Sequence, residues 1–190
     1  LPDIKPYSVT DAQTHVYRGA GGGRTASTFA YPTLSDMAFY FWSKDLQPSI
    51  ENKVIPSIVK SGDETFVSSA SSLTLDQYWN PQNDPANWQH LTHYTIGYGP
   101  TASVWTNSGT NPRFSNGGMY GSDLTKTMLG QKLWTDVTAS DSDSNYDAYR
   151  PEDLWHMAIN SRGKYFPVAT GNLEPVFDEI FGNIVNDNTK

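Results

Sequence analysis

The chain has 190 residues, no cysteine and a net charge of −7, and 17% of its residues are charged against 13% that are aromatic. This length fits a single domain with a substantial core, and the lack of cysteine excludes disulfides, thiolate metal sites and cysteine nucleophiles. The acidic balance argues against nucleic acid and anionic lipid as partners, and no apolar run approaches the about 20 residues of a membrane span.

The first predicted helix follows a loop-like N-terminal stretch that contains a glycine-rich turn at residues 19–24. Thr33 or Ser35 can cap this helix, which is predicted to run to about Leu46 and to stop before Pro48. Its buried face is expected to hold apolar residues at helical spacing, broadened by two aromatic residues. These residues are Leu34, Met37, Ala38 and Phe41, with Tyr40 and Trp42 beside them.

The middle of the chain predicts short strands separated by turns. Strands are expected near residues 54–59 and 64–67, and residues 80–85 form a turn rich in Asn and Pro. Residues 91–98 predict a strand rich in Thr, Tyr and Ile, which ends in glycines where the backbone turns. Residues 100–121 are rich in Gly, Asn and Ser and are predicted to form a loop.

The next part of the chain predicts two helices. A modest helix capped by Ser122 is predicted to reach Leu133, and a polar, acidic loop follows over residues 135–149. The second helix is predicted to begin at residues 150–153, because proline suits the first helical position and carboxylates there complement the helix dipole. Gly163 is expected to end it in the left-handed conformation. Its apolar stripe consists of Leu154, Trp155, Ala158 and Ile159.

A final helix is predicted after Asn172, which can cap it. Seven apolar residues at helical spacing give this helix one strong apolar face. They are Leu173, Val176, Phe177, Ile180, Phe181, Ile184 and Val185. A strand, a helix and a terminal helix in this order favour a layered α/β domain.

Three blocks of sequence share their content and order with one known family. Residues 152–166 read Glu-Asp-Leu-Trp-His-Met-Ala-Ile-Asn-Ser-Arg-Gly-Lys-Tyr-Phe, and residues 88–99 read Trp-Gln-His-Leu-Thr-His-Tyr-Thr-Ile-Gly-Tyr-Gly. Residues 34–46, continuing to Asn52, form the predicted aromatic helix and end in a Tyr/Trp-rich turn with Asp-Leu. With these blocks the chain resembles the PilY1/PilC-like tip proteins of bacterial type IV pili.

This resemblance implies a fold and a role. The fold is a von Willebrand factor A-like (Rossmann-like) three-layer α/β domain, and residues 1–190 would be its C-terminal half with loop insertions, as a single domain or a fragment. The role is non-enzymatic, in pilus assembly and adhesion at the pilus tip, on the cell surface after export through the periplasm and outer membrane. The implied partners are minor pilins, the pilus fibre, and a host or abiotic surface.

The same resemblance carries an expectation about assembly. Half of a sheet leaves an unprotected edge, and such edges pair with other strands. We therefore expect this chain to associate with upstream sequence, or to form a swapped or oligomeric arrangement.

Metal binding is predicted from the residues themselves. The resemblance implies a separate Mg²⁺ site built on an Asp-x-Ser-x-Ser loop, but no such loop stands at a strand end in this chain, so no magnesium ligands are carried over. A calcium loop of the EF-hand type places oxygen ligands at about positions 1, 3, 5, 7 and 12. The matching residues are Asp141, Asp143, Asn145, Asp147 and Glu152. Tyr146 stands where that loop needs glycine, so the alternative is a solvated acidic loop whose last carboxylates cap a helix.

A secreted carbohydrate-binding or hydrolase domain is the competing interpretation. It rests on six tryptophans, which can stack on sugars, and on Asp153 and His156, which lie three residues apart on a predicted helix. A hydrolase also needs a nucleophile, and no Gly-x-Ser-x-Gly elbow occurs. We therefore predict that Asp153 caps backbone amides and that Trp155 and His156 pack against the sheet. His90 and His93 lie on opposite faces of a strand and are predicted to be structural.

Overall fold

Two separate two-stranded sheets and four α-helices form the described part of the chain, and this mixed α/β architecture agrees with the predicted class. The computed structural model describes residues 10–19, 33–104, 112–135, 137 and 146–188. The elements in chain order are a 3₁₀ helix at Ala12–Tyr17, α1 at Leu34–Trp42, β1 at Glu64–Ser68, β2 at Ser71–Leu75, β3 at Tyr94–Tyr98, α2 at Ser122–Met128, α3 at Tyr146–Asn160, β4 at Lys164–Val168 and α4 at Glu174–Asn188. None of these described helices has both the length and the apolar character needed to cross a membrane.

The two sheets differ in topology. β1 and β2 form an antiparallel hairpin around a turn at residues 69–70. β3 and β4 run parallel, in a register that pairs Tyr94 with Lys164 and Tyr98 with Val168. Parallel strands need a long crossover connection, and α3 lies on that connection and packs against both strands. This β3–α3–β4 unit positions the candidate site.

Tryptophan rings form the centre of the core. Five of the six tryptophans are buried, and Trp105 lies outside the described residues. Trp134 and Trp155 meet edge to face with 5.1 Å between ring centroids, and Trp42 and Trp88 meet in the same way at 5.7 Å. Such pairs contribute about 0.5–1.5 kcal/mol beyond the burial of the rings. Because these rings are buried, they are not available as the sugar-stacking surface of the competing interpretation.

Helix α1 begins where it was predicted to begin but ends earlier, at Trp42. Thr33 caps it in a capping box, in which Thr33 Oγ1 accepts from the amide of Asp36 and the Asp36 carboxylate accepts from the amide of Thr33. The predicted extension to Leu46 is wrong. The Leu46 amide donates to the carbonyl of Gln89 at 2.8 Å and so leaves the helical hydrogen-bond pattern.

The buried face of α1 is only partly the predicted one. Of the predicted residues, Ala38 and Trp42 are buried, whereas Leu34, Met37 and Tyr40 are exposed. The buried face also contains Ser35 and Phe39, which were not predicted. Both sides of this helix carry apolar residues, so sequence spacing alone does not decide which side the tertiary contacts cover.

Two strand predictions also need correction. Residues 54–59 do not form a strand, and Ser57 makes only an isolated bridge to Asp84. Pro56 lacks an amide hydrogen, which prevents a continuous ladder there. The strand predicted at residues 91–98 begins three residues later, as β3. Strand β2 was not predicted, because its serine-rich sequence gives little strand signal.

Helices α2 and α3 depart from their predicted bounds. The N-cap of α2 is Gly121 and makes no side-chain hydrogen bond, so the predicted serine cap is wrong. This helix ends at Met128 rather than five residues later, because Gly130 adopts a left-handed φ of 70°. α3 starts at Tyr146, so Pro151 lies inside the helix instead of at its first position.

Helix α4 has the predicted apolar face, but that face is largely exposed. At its start, Asn172 Oδ1 accepts from the Glu174 amide at 2.9 Å, in agreement with the predicted capping role. Further along, Phe181 and Val185 are 61% and 58% exposed. The Lys164 ammonium pairs with the Glu179 carboxylate and connects the helix to β4.

Candidate functional site

Arg162 ends α3 in a left-handed backbone conformation. Its φ is 61°, and among the described residues no other residue except glycine has a positive φ. The Arg162 amide donates to the Ile159 carbonyl at 3.2 Å and the Gly163 amide donates to the Ala158 carbonyl at 2.9 Å, which is the Schellman pattern. A side chain at the left-handed position costs roughly 1 kcal/mol. The prediction that Gly163 would be left-handed is therefore wrong by one position.

Gly163 is needed for a different reason, which is a close approach of two backbones. A Cβ atom at this position would lie 2.0 Å from the carbonyl oxygen of His93. The His93 amide also donates to the Ser161 hydroxyl at 3.0 Å. The turn between α3 and β4 is thereby fixed against the segment that leads into β3.

The guanidinium of Arg162 is buried between two aromatic rings. The rings of Tyr17 and Trp42 lie on it, with 4.4 and 4.5 Å from the guanidinium carbon to their centroids. The guanidinium donates to the Tyr17 hydroxyl and to the carbonyls of Asn80 at 2.9 Å and Tyr78 at 3.0 Å. We call Tyr17, Trp42, Tyr78 and Asn80 the Arg162 cage. Carbonyl dipoles, a hydroxyl and π faces hold the cation, without a carboxylate among these four residues.

Tyr17 is neutral in this cage. Burial raises the pKa of its hydroxyl above the ordinary value, and the charge of Arg162 opposes this rise without overcoming it. The hydroxyl donates to the Trp79 carbonyl at 2.6 Å while it accepts from Arg162. The hydrogen-bond acceptors of the guanidinium are therefore all uncharged at neutral pH.

His90 and Asp84 form an ion pair beside the cage. His90 Nε2 lies 2.9 Å from Asp84 Oδ2, and His90 Nδ1 lies 2.7 Å from the Trp88 carbonyl. Because both neighbours are acceptors, the ring carries a proton on each nitrogen. Burial lowers the pKa of His90, but its hydrogen bond to Asp84 and the Asp84 charge outweigh burial, so the net shift is upward. Asp84 Oδ1 accepts from Trp42 Nε1 at 3.1 Å and so connects this pair to the Arg162 cage.

A cavity of about 650 Å³ opens next to the ion pair, and we call it the His90 cavity. Its described wall contains three basic residues, Lys53, His90 and Arg162, and one acidic residue, Asp84. Its aliphatic residues are Val54, Ile55 and Ile184. The volume lies within the range of roughly 300–1,000 Å³ that is typical of small-molecule sites.

Asp153 and His156 bind different partners instead of each other. Asp153 Oδ2 accepts from the Leu34 amide at 3.4 Å, so it caps α1, as predicted. His156 is buried, in agreement with the predicted packing role, but its ring stacks on Trp134 with 4.2 Å between centroids; burial lowers its pKa to about 3. Asp153 and His156 line a cavity of about 10 Å³, which has room for at most one water molecule.

The calcium prediction falls mostly outside the described residues. Asp141, Asp143 and Asn145 lie outside them, and Asp147 belongs to the first turn of α3 with a side chain that is not described. Glu152 is buried, and its carboxylate accepts from the amide and hydroxyl of Thr135 at 2.5 and 2.8 Å. Within the described ranges no group of three acidic or histidine side chains is placed to hold a metal. The calcium site stays a prediction.

Sequence reasoning missed the roles of Arg162 and Asp84. Arg162 follows a helix in a chain that is poor in charge and rich in aromatic residues, and this composition makes cation–π contacts frequent. That signal was available from the sequence. Asp84 lies in the turn at residues 80–85 and was treated only as a turn former, although the neighbouring Trp-Gln-His segment offered it a histidine partner.

No family model and no solved structure matches the chain. Curated relatives do match it, described as Type IV pilus biogenesis factor PilY1 of Pseudomonas aeruginosa. The proteins of strains PAO1 and PAK are each 34% identical to this chain over 185 residues, which is 97% of this chain and 13% of theirs. The protein of strain UCBPP-PA14 is 36% identical over 159 residues, which is 83% of this chain and 12% of its own. The chain is therefore related to a segment of PilY1 and spans a small part of these relatives' length.

Proposed function

We propose that this chain, as a relative of a segment of PilY1, acts in type IV pilus biogenesis as a non-enzymatic module of a longer protein. The observation that carries the proposal is the similarity to PilY1 along 97% of the chain. We propose minor pilins and the pilus fibre as partners and the pilus tip at the cell surface as the location. Adhesion to a host or abiotic surface is the second proposed role.

The contacts of Asp153 and His156 support a non-enzymatic role. A general acid or base must lie within hydrogen-bond reach of a substrate. Asp153 instead accepts from the backbone of α1, and His156 lies in the core against Trp134. The cavity between them has no room for a substrate. These residues of the 152–166 block therefore serve the packing of α3 against its neighbours.

We also propose that the chain is part of a von Willebrand factor A-like domain. β3, α3 and β4 form a parallel βαβ unit, and α4 follows it, as in doubly wound folds. Parallel sheets occur with both faces covered and usually with more than two strands. The two-stranded sheet and the exposed apolar face of α4 support completion of the domain by other strands of the longer protein.

The pilus role can be tested in the bacterium that carries the full-length protein. Deleting only the segment that corresponds to this chain should abolish surface pili, measured as pilin sheared from the cells, while an immunoblot shows that the shortened protein is still made. The substitution Lys44→Gln changes an exposed residue of the segment and serves as the control, with unchanged piliation. Normal amounts of sheared pilin after the deletion would contradict the proposed role.

Calcium binding at Asp141, Asp143, Asn145, Asp147 and Glu152 is a separate proposal. Its support is the spacing of five oxygen-bearing residues in one loop. Calorimetric titration of the chain with calcium chloride should release heat, and the double substitution of Asp141→Asn with Asp143→Asn should remove it. No heat from the unaltered chain would refute the site.

A further inference from the structure

We propose that the His90 cavity binds a carboxylate that is attached to an apolar group. The inference rests on the charge and the lining of the cavity. It is independent of the proposed role in pilus biogenesis.

The wall of the His90 cavity has an excess of positive charge, although the chain as a whole is acidic. Lys53 and Arg162 contribute two positive charges to this wall, and the negative charge of Asp84 is paired with His90 at 2.9 Å. Lys53 also pairs with Glu51 at 2.7 Å, but both side chains are exposed, so this pair has little energetic weight. A cleft lined by one sign of charge concentrates ligands of the opposite sign.

Arg162 gives the strongest reason to expect an anion. Its side chain is buried, and three of its five N–H groups donate to uncharged acceptors. The Nε–H group is buried and has no hydrogen-bond partner within the described residues, so a ligand in the cavity would act on this cation through its charge. A buried cation without a counter-ion is unfavourable unless a negative group comes near it. A carboxylate in the adjoining cavity would supply that negative charge.

The rest of the lining indicates an apolar part of the ligand. Val54 and Ile55 form one part of the wall, and Ile184 of α4 contributes another. Thr92 and Tyr94 also line the cavity. The cavity of about 650 Å³ is larger than a carboxylate alone requires, so an aliphatic group fits beside the charge.

The first test compares two small probes of the same shape. Calorimetry or amide-shift NMR of the 190-residue chain should detect saturable binding of 4-methylpentanoate, and binding of the neutral 4-methylpentanamide should be about tenfold weaker. Equal binding of acid and amide would overturn the proposal, because the site would then not select the charge. No binding of the acid up to about 10 mM would overturn it as well.

A second pair of probes distinguishes the source of the carboxylate. The tripeptide Gly-Gly-Leu, with a free C-terminus, is compared with the same peptide ending in an amide. Tighter binding of the free peptide than of 4-methylpentanoate would support a polypeptide C-terminus as the source. Tighter binding of the small acid would support a free organic acid. In both cases the uncharged partner probe should bind about tenfold more weakly.

A pair of lysine substitutions connects the binding to this cavity. Lys53→Glu reverses a charge on the cavity wall and should weaken 4-methylpentanoate about tenfold. Lys44→Glu reverses an exposed charge that does not line the cavity and should leave the affinity within about twofold. Both positions are exposed, so neither variant should unfold the chain. Equal affinities of the two variants would show that the acid binds elsewhere and would overturn the proposal.

Discussion

Helices α3 and α4 lie on either side of β4 in the sequence and have 15 residues each, but only α3 is packed. Trp155, Ala158 and Ile159 of α3 are fully buried, whereas Phe181 and Val185 of α4 are mostly exposed. Apolar surface stabilises a fold only where it leaves water, by about 25 cal/mol per Å². The comparison teaches that burial of its apolar stripe makes α3 stabilise this chain, while the apolar face of α4, which is mostly in water, contributes little.

Among substitutions at or near α3, Arg162→Ala is expected to lower the free energy of unfolding the most. It removes the cation and leaves the carbonyls of Asn80 and Tyr78 and the hydroxyl of Tyr17 without their donor. Each buried acceptor left without a partner costs about 1–3 kcal/mol, so the total loss in the free energy of unfolding should be about 3 kcal/mol or more. Urea unfolding followed by tryptophan fluorescence measures the loss in the free energy of unfolding.

Arg162→Gly is the matched control, because glycine accepts the φ of 61° without strain. It should be about 1 kcal/mol more stable than Arg162→Ala, yet still well below the parent. If Arg162→Gly were as stable as the parent, the backbone rather than the cage would determine the role of this residue.

Gly163→Ala should cause the next largest loss in the free energy of unfolding. The new Cβ would lie 2.0 Å from the His93 carbonyl oxygen, so either the α3–β4 turn or the start of β3 must shift. Overpacking of this kind costs about 1–3 kcal/mol, and a backbone obstacle favours the upper end. Ser161→Ala removes only the hydroxyl that accepts the His93 amide and should cost about 1 kcal/mol. Equal stabilities of Gly163→Ala and the parent would contradict the close approach.

Local signals predicted the parts of α1 and α3 that depend on neighbouring residues. The Thr33 cap and the apolar stripe with Trp155 are set by contacts within a few residues, and both are present. The buried face of α1 could be predicted only in part, at Ala38 and Trp42, because both sides of the helix are apolar and tertiary contacts decide which one is covered. The start of α3 at Tyr146 was missed because Pro151 is a strong signal for a first turn, whereas here it lies inside the helix.

The candidate site was harder to predict than the helices, because its contacts join distant parts of the sequence. The partners of Arg162 are 145, 84 and 82 positions away, at Tyr17, Tyr78 and Asn80. Glycine was the natural choice for the left-handed position, since it has no strain there. The cage contacts of Arg162 outweigh that local preference. No pattern within the 152–166 block contains this information.

The pH dependence of stability should separate His156 on α3 from His90 near the cavity. Burial lowers the pKa of His156 to about 3, so its contribution is present above pH 6.5 and is lost as the pH falls towards 3. The pKa of His90 is raised, so its contribution is present below pH 6.5 and is lost as the pH rises through its folded value. Stability should therefore have a maximum near pH 6.5.

Substitution by glutamine isolates each histidine in that profile. His156→Gln should reduce the loss of stability below pH 6.5. Through this histidine the parent loses about 2 kcal/mol in the free energy of unfolding between pH 6.5 and 5. His90→Gln should instead reduce the loss of stability above pH 6.5. His15 and His93 also have pKa values lowered by burial, so part of the acid loss should remain in His156→Gln. Unfolding midpoints at five pH values provide the measurement, and an unchanged acid side in His156→Gln would contradict its buried neutral state.

Phe181→Ala should change the free energy of unfolding the least, because the ring is mostly in water in this chain. We expect a change below about 0.5 kcal/mol, against about 2–5 kcal/mol for Ile159→Ala in the packed stripe of α3. In the longer protein the outcome should differ, since a partner that covers α4 would make Phe181 part of a core. A loss of about 2 kcal/mol or more there, without one in the isolated chain, would show that the face is covered. Equal small losses in both would show that α4 stays exposed, and the proposed completion of the domain over this helix would then be wrong.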